Sequence, residues 1–117
     1  MKAIPVCTVD QLPYDSMRAF QVAGRDIVFV RNGERIYALR NFCPHQGATL
    51  SLGVLSCRRI AAEVGEYRTQ DDSRVVRCPW HNWEFDIADG TAVHDPERVR
   101  VATYRAYITE GRVYVVL

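Results

Sequence analysis

The stretch RCPWHNWEFDIADG, residues 77–90, is the most informative part of this chain, because Cys78 and His81, three residues apart, form half of a candidate metal site. An earlier stretch, CPHQG, residues 43–47, supplies a second such pair, Cys43 and His45, with one residue between them. Thiolates and imidazoles are ligands of zinc sites and of iron–sulfur clusters. Two cysteines and two histidines therefore complete a four-ligand site. It is either a tetrahedral zinc site or a cluster in which two imidazoles replace thiolates on one iron.

The order of ligand types along the chain favours the cluster. Zinc fingers usually pair Cys with Cys and His with His, whereas here each half-site is mixed and a proline follows each cysteine, Pro44 and Pro79. These halves resemble the Rieske-type [2Fe-2S] family, whose signature is Cys-x-His, a spacer, and Cys-x-x-His. The resemblance covers residues 43–51 and 77–90. It implies one [2Fe-2S] cluster, with both cysteines on one iron and both histidines on the other, held by Cys43, His45, Cys78 and His81.

The same resemblance implies a position within the family. In the membrane-complex branch a disulfide braces the two loops, and Ala48 and Trp80 stand where its cysteines would fall. That branch also donates hydrogen bonds to the cluster from a Ser and a Tyr, and Trp83 and Phe85 take those places. Hydrogen bonds to cluster sulfurs raise the reduction potential, so we expect a potential near the low end of the Rieske range, about −150 mV. Trp83 and Phe85 are interpreted as core residues that anchor the second loop.

The resemblance further implies a soluble ferredoxin that carries single electrons and is not itself an enzyme. Its expected partners are an NAD(P)H-dependent flavin reductase and a terminal, ring-hydroxylating oxygenase. Two alternatives stay open: the small subunit of an assimilatory nitrite reductase, and a zinc-stabilised interaction module without a redox role. Partners are expected to dock near the tip of the cluster loops, at His45, Gln46, Trp80 and His81.

Composition is consistent with a small carrier. A chain of 117 residues is long enough for one domain, and a net charge of +1 with 25% charged residues shows no global bias toward nucleic acid or membranes. No apolar run approaches the roughly 18 residues of a membrane span, and the first ten residues lack the apolar core of a signal peptide. We therefore expect a cytoplasmic protein without a membrane or nucleic-acid partner, either a monomer or a weak oligomer.

The remaining histidine and cysteines are not assigned to a site. An iron oxygenase centre needs two histidines and a carboxylate, and only His94 is left after the cluster, so we interpret residues 94–96 as a turn. Cys7 is expected to be a small buried residue and Cys57 a solvent-facing loop thiol. No phosphate-binding glycine loop or Ser-His-Asp set is present in the sequence.

Short β-rich runs separated by turn dipeptides predict an all-β fold, an antiparallel sandwich or small barrel. Asn32-Gly33 predicts a type I′ hairpin, and Glu110-Gly111 predicts a second hairpin. The family resemblance implies a base formed by residues 1–39 and 91–117, and a cluster-binding subdomain of residues 40–90 inserted between them. The predicted strands are Ile4–Val9, Met17–Val22, Asp26–Arg31, Arg35–Arg40, Glu84–Ile87, Val101–Ile108 and Arg112–Leu117.

The spacer between the half-sites departs from the family pattern. It contains 32 residues, from 46 to 77, about twice the usual family length, with the excess in residues 56–74. We interpret this excess as an extended hairpin or surface loop with a turn at Val64-Gly65. The alternative is a partner-specificity element beside the cluster, presenting Arg58, Arg59 and Arg68 to an acidic surface.

Overall fold

The computed structural model describes residues 2–44, 48–60, 68–79 and 83–117, without the side chains of residues 57–60 and 68–73. Within that part of the chain the regular elements are β-strands, together with the short 3₁₀ turns Val9–Gln11 and Leu50–Leu52, and there is no α-helix. The strands are β1 (Ala3–Thr8), β2 (Met17–Val22), β3 (Arg25–Asn32), β4 (Arg35–Arg40), β5 (Val54–Ile60), β6 (Arg68–Arg77), β7 (Glu84–Asp86), β8 (Thr103–Thr109) and β9 (Arg112–Val116).

These strands form two antiparallel sheets. Six strands pair in the order β1-β9-β8-β4-β3-β2, and the outer strands β1 and β2 approach each other, which bends the sheet into a nearly closed barrel. The second sheet is formed by β5, β6 and β7. The predicted all-β class is confirmed, and β2 and β4 have the predicted bounds.

Strand β3 is buried on both faces because it lies between two apolar clusters. Successive side chains of a strand point to opposite faces. Val28 and Val30 enter a cluster that includes both motif cysteines, whereas Ile27 and Phe29 enter a second cluster inside the barrel. One strand therefore couples the cysteine-bearing loops to the barrel core.

Of the two hairpin turns predicted from Gly-containing dipeptides, one lies where it was predicted and the other is shifted. Glu110 and Gly111 have φ values of 49° and 73°, so the predicted second hairpin is confirmed, with positive φ at both central positions as a type I′ turn requires. The prediction for the first hairpin is wrong by one residue. Asn32 pairs with Arg35, and Gly33, with φ of 62°, is the first of two loop residues. Positive φ at the first position alone is typical of type II′.

The long spacer forms a hairpin, as expected. Strands β5 and β6 pair from Val54↔Arg77 to Ile60↔Arg68, and the register shifts between Cys57 and Arg59. Residues 61–67, with the predicted turn at Val64-Gly65, lie outside the described residues, as do the side chains of the three arginines proposed for partner specificity.

The two ends of the chain meet in the barrel. Lys2 and Leu117 exchange backbone hydrogen bonds of 2.9 and 3.0 Å, next to the pairing of β1 with β9. We propose that the six-stranded sheet is the base and that the β5–β6–β7 sheet with the flanking loops is the cluster-binding subdomain, as the resemblance implies.

Candidate metal centre

Each motif cysteine begins a loop that is closed in the same way. The backbone N–H of Cys43, after β4, donates to the carbonyl of Ala48 at 2.7 Å. The N–H of Cys78, after β6, donates to the carbonyl of Trp83 at 2.7 Å. In both loops the donor and acceptor are five residues apart, so the two half-sites share one backbone frame.

Both thiols face an apolar interior. Cys43 and Cys78 are 0% exposed and belong to the same cluster of buried residues. The prolines that follow them, Pro44 and Pro79, are exposed. Each proline fixes φ near −65° next to a thiol, which restricts the backbone there. Two buried, rigidly held thiols without a disulfide between them fit the sulfur half of a cluster ligand set.

Asn41 anchors the start of the first loop. Its side chain is 6% exposed, its Nδ2 donates to Ser51 Oγ at 3.0 Å, and its Oδ1 accepts from the Ser51 N–H at 2.7 Å. Nδ2 also lies 3.3 Å from each carboxylate oxygen of Asp26. Asn41 thus joins β3, the first loop and the turn after it. The sequence did not mark this role, and the available signal was a polar residue directly after an apolar strand.

Gly53 lets the segment after the first loop approach the strand that leads to the second. A Cβ at this position would lie 1.9 Å from the carbonyl oxygen of Arg77, the residue before Cys78. The φ of Gly53 is −83°, so the requirement for glycine is steric and not conformational. Any larger residue must displace the backbone at the second cysteine.

The residues after the second loop pack as expected. Phe85 is fully buried and Trp83 packs partly buried against the same apolar cluster. The ring of His94 meets the Trp83 ring edge-to-face with centroids 4.1 Å apart. His94 lies in a turn, closed by a 3.2 Å hydrogen bond from the Asp95 N–H to the carbonyl of Ala92, which confirms the turn interpretation. His94 thus gains a packing role that its place in the sequence did not indicate.

A hydrogen-bonded turn follows β7 and leads to the loop that carries His94. Partial burial tends to raise the pKa of Asp89, but hydrogen bonds from the N–H and hydroxyl of Thr91, together with the nearby Arg100 guanidinium, outweigh it, so the pKa lies below its usual value. Gly90, with φ of 77°, places its carbonyl 2.8 Å from the N–H of Val101. This turn ties β7 to the segment that enters β8.

Four predicted residues lie outside the described part of the chain: His45, Gln46, Trp80 and His81. Among the described residues no group of three or more His, Cys, Asp or Glu side chains comes together as a metal site. The structure therefore brings the two cysteines into one cluster of residues, and the four-ligand assignment stays a prediction.

The expectation for Cys7 needs correction. It is only partly buried, at the rim of the barrel cluster, because it lies on the outer strand β1. Burial raises the pKa of its thiol, an effect that Arg18 partly offsets. Cys7 is a free thiol, and the side chain of Cys57 lies outside the described residues.

Comparisons with known proteins agree with this architecture. The chain is 31% identical over 110 residues to human apoptosis-inducing factor 3, which it matches with 94% of its own length but only 16% of that longer protein. The solved ferredoxin of carbazole 1,9a-dioxygenase from Nocardioides aromaticivorans IC177 aligns at a TM-score of 0.75 and 28% identity, covering 99% of this chain and 98% of that one. A protein from Mycobacterium tuberculosis described as an NADH-dependent nitrite reductase small subunit aligns at 0.79 and 25% identity, covering 97% and 93%.

No helix in the described part of the chain is long and apolar enough to cross a membrane.

A family model for the Rieske [2Fe-2S] domain matches residues 2–105, nearly the whole chain, and the cofactor of that family is one Rieske-type [2Fe-2S] cluster. The buried thiols, the matched loop closures and this match lead to one conclusion: the chain belongs to the Rieske [2Fe-2S] domain family.

Proposed function

We propose that this protein is a one-electron carrier that takes electrons from an NAD(P)H-dependent flavin reductase and delivers them to a terminal, ring-hydroxylating oxygenase. The observation that supports it most is the pair of matched loops, each with a fully buried cysteine whose N–H closes the loop. A bound Rieske cluster supplies reversible one-electron chemistry. Near-complete overlap with the ferredoxin of a dioxygenase system supports the carrier role.

In this proposal Cys43 and Cys78 hold one iron and His45 and His81 hold the other. The chain contributes a water-free, rigid setting for the thiolates. The loop closures, Asn41 and the close contact at Gly53 restrict movement of the backbone on both sides. A restricted ligand frame reorganises little when its charge changes by one unit, which suits electron transfer.

The nitrite reductase subunit is the second candidate, because such a protein aligns at a TM-score of 0.79. The presence of both Cys–His pairs in the sequence favours the ferredoxin role, since those subunits often lack ligands. The zinc-stabilised module has no support from the family match.

The ligand assignment is tested on protein purified without oxygen. The wild type is expected to be reddish-brown, to contain two irons and two acid-labile sulfides, and to give a Rieske-type EPR signal after reduction. Cys43→Ser, Cys78→Ser and His81→Ala are expected to lose this signal, whereas Cys7→Ala, a cysteine outside the motif, keeps it. A fully loaded, spectroscopically unchanged His81→Ala protein would contradict the proposal.

The partner assignment is tested by reconstitution. The reductase and terminal oxygenase of a carbazole 1,9a-dioxygenase system, deprived of their own ferredoxin, are mixed with this protein, NADH and carbazole. Hydroxylated product that depends on this protein supports the proposal. Stimulation of a nitrite reductase large subunit, with no hydroxylation in the first assay, would assign the second function instead.

A further inference from the structure

Two surface cavities are lined by residues of two chain segments, 40–44 and 98–104, and the first of them also by residues 24–26. A cavity of about 480 Å³ is lined by Arg25 and Asp26, by residues 40–42, and by Ala102 and Tyr104. A cavity of about 310 Å³ is lined by Pro44, Trp83 and residues 98–100. A 2.9 Å hydrogen bond from the Arg40 N–H to the carbonyl of Ala102 joins the two segments. We name the surface of these two cavities the arginine groove, defined by Arg25, Arg40, Phe42, Pro44, Arg98 and Arg100.

The groove is far more positive than the protein as a whole. Four arginines and one aspartate line the cavities, an excess of three positive charges, whereas the whole chain carries a net charge of +1. The carboxylate of Asp26 already accepts hydrogen bonds from Asn41. All four arginines are exposed. Acidic residues adjoin the groove as well: Asp26 follows Arg25 and Glu97 precedes Arg98 in the sequence, and Arg100 lies near Asp89, to whose carbonyl it donates at 3.2 Å.

Aromatic rings hold two of these arginines at the surface. The Arg40 guanidinium lies 4.9 Å from the centroid of the Phe42 ring, and that of Arg25 lies 5.8 Å from the Tyr104 ring. A guanidinium stacked on a ring keeps its N–H donors available for a carboxylate. Phe42 itself is 39% exposed, although Cys43, the next residue, is fully buried.

The position of the groove relates it to electron transfer. Phe42 and Pro44 directly precede and follow Cys43, and Trp83 closes the second loop. A protein surface seated in the groove would therefore contact the backbone of both cysteine loops. An exposed aromatic ring surrounded by arginines is also the composition that protein interfaces favour.

We propose that the arginine groove is the docking surface for a redox protein whose own cofactor is surrounded by carboxylates. This proposal rests on the proposed function as an electron carrier. A second copy of this chain is a poor occupant, because it would present the same positive groove. Charge complementarity would speed encounter with an acidic partner and place it beside the loop that carries Cys43.

Two forms of one acceptor test the charge of the partner. Native cytochrome c is basic, and cytochrome c with succinylated lysines is acidic but contains the same haem. One electron passes from the reduced holoprotein to the ferric haem, so the donor is oxidised and the acceptor reduced by one unit each. At low ionic strength we expect the succinylated form to react about tenfold faster, and we expect this preference to fall as salt screens the charges.

Paired variants locate the effect. Arg98→Gln with Arg100→Gln, and Arg25→Gln with Arg40→Gln, are each expected to lower the ratio of the succinylated to the native rate by roughly threefold or more. Arg105→Gln with Arg112→Gln removes two exposed arginines outside the groove and controls for net charge. The proposal would be overturned if the wild type reacted more slowly with succinylated than with native cytochrome c. It would also be overturned if the control variant lowered the ratio of the two rates as much as the groove variants do.

NMR of the oxidised holoprotein with hexacyanochromate(III), a redox-inert trianion, gives a readout independent of electron transfer. Line broadening is expected at amides that line the groove, such as those of Arg25, Arg98, Ala102 and Tyr104, and broadening confined to amides outside the groove would overturn the proposal. Tight binding of a DNA duplex in the groove at physiological salt would also overturn the assignment to a protein. A cluster that accepts no electron from dithionite would refute the carrier function. If the cluster is reducible but the groove substitutions leave the ratio of the two rates unchanged, only the docking surface is refuted.

Discussion

Replacement of Asn41 by alanine tests whether one buried amide holds the first cysteine loop in place. The change removes the acceptor of the Ser51 N–H, at 2.7 Å, and the donor to Ser51 Oγ, at 3.0 Å. It also removes the longer contacts, at 3.3 Å, to the carboxylate of Asp26. A buried N–H without a partner costs about 1–3 kcal/mol, and each lost neutral hydrogen bond about 0.5–1.5 kcal/mol.

We therefore expect Asn41→Ala to lower the free energy of unfolding by about 2–4 kcal/mol, or the Tm by roughly 8–16 °C. Ser51→Ala removes only the hydroxyl contact and is expected to cost about 0.5–1.5 kcal/mol. Urea unfolding followed by far-ultraviolet circular dichroism measures both values. Gln21→Ala, at an exposed position of β2, serves as the control and is expected to stay within about 0.5 kcal/mol of wild type.

The same variant has a readout at the metal centre. Because Asn41 lies two residues before Cys43, a looser loop is expected to release iron to a chelator faster, measured as the decay of visible absorbance. A cost below about 1 kcal/mol together with unchanged iron release would refute the role of Asn41 as an anchor.

Three further changes test other contacts. Gly53→Ala is expected to cost about 1–3 kcal/mol, because its methyl group must push the carbonyl of Arg77 away, and an unchanged urea midpoint would contradict that contact. His94→Ala is expected to cost about 0.5–1.5 kcal/mol by loss of the ring contact with Trp83, and His94→Phe should recover most of it; equal losses in both variants would argue against ring packing. Because the pKa of Asp89 is lowered, its ionised form stabilises the fold above pH about 4, and this contribution is lost as the pH falls through the lowered pKa. In Asp89→Asn the Tm should therefore fall less steeply at acid pH than in the wild type. Near neutral pH the two Tm–pH curves should run parallel.

Local patterns predicted much of the six-stranded sheet. The alternating runs at Met17–Val22 and Arg35–Arg40 have their observed bounds, because each is flanked by turn residues and packs in one register. The first hairpin shows the limit of such reasoning. An Asn-Gly signal marks a turn, but the pairing of Asn32 with Arg35 decides which residues occupy it. That pairing depends on which faces of β3 meet the two apolar clusters.

For the candidate site the sequence predicts the ligand types, an assignment that stays a prediction, and it does not predict the surroundings. The Cys–His spacing indicated a cluster, because metal ligation constrains sequence locally. The contact between Gly53 and Arg77 joins positions 24 residues apart, and the groove brings Pro44 next to Arg98, 54 residues away. Neither arrangement follows from residue periodicity, since the first arises where β5 pairs with β6 and the second where two loops meet.

The pairing of early and late strands has a consequence for how the protein matures. Strand β4, which leads directly to Cys43, has β8 as a neighbour, and β1 has β9. During synthesis the first cysteine loop can pair with β3 and Ser51 early, but β4 gains its second neighbour only after the last quarter of this sequence has left the ribosome. Iron and sulfide are accordingly expected to enter after translation of the final hairpin, when a delivery factor would meet an already folded barrel.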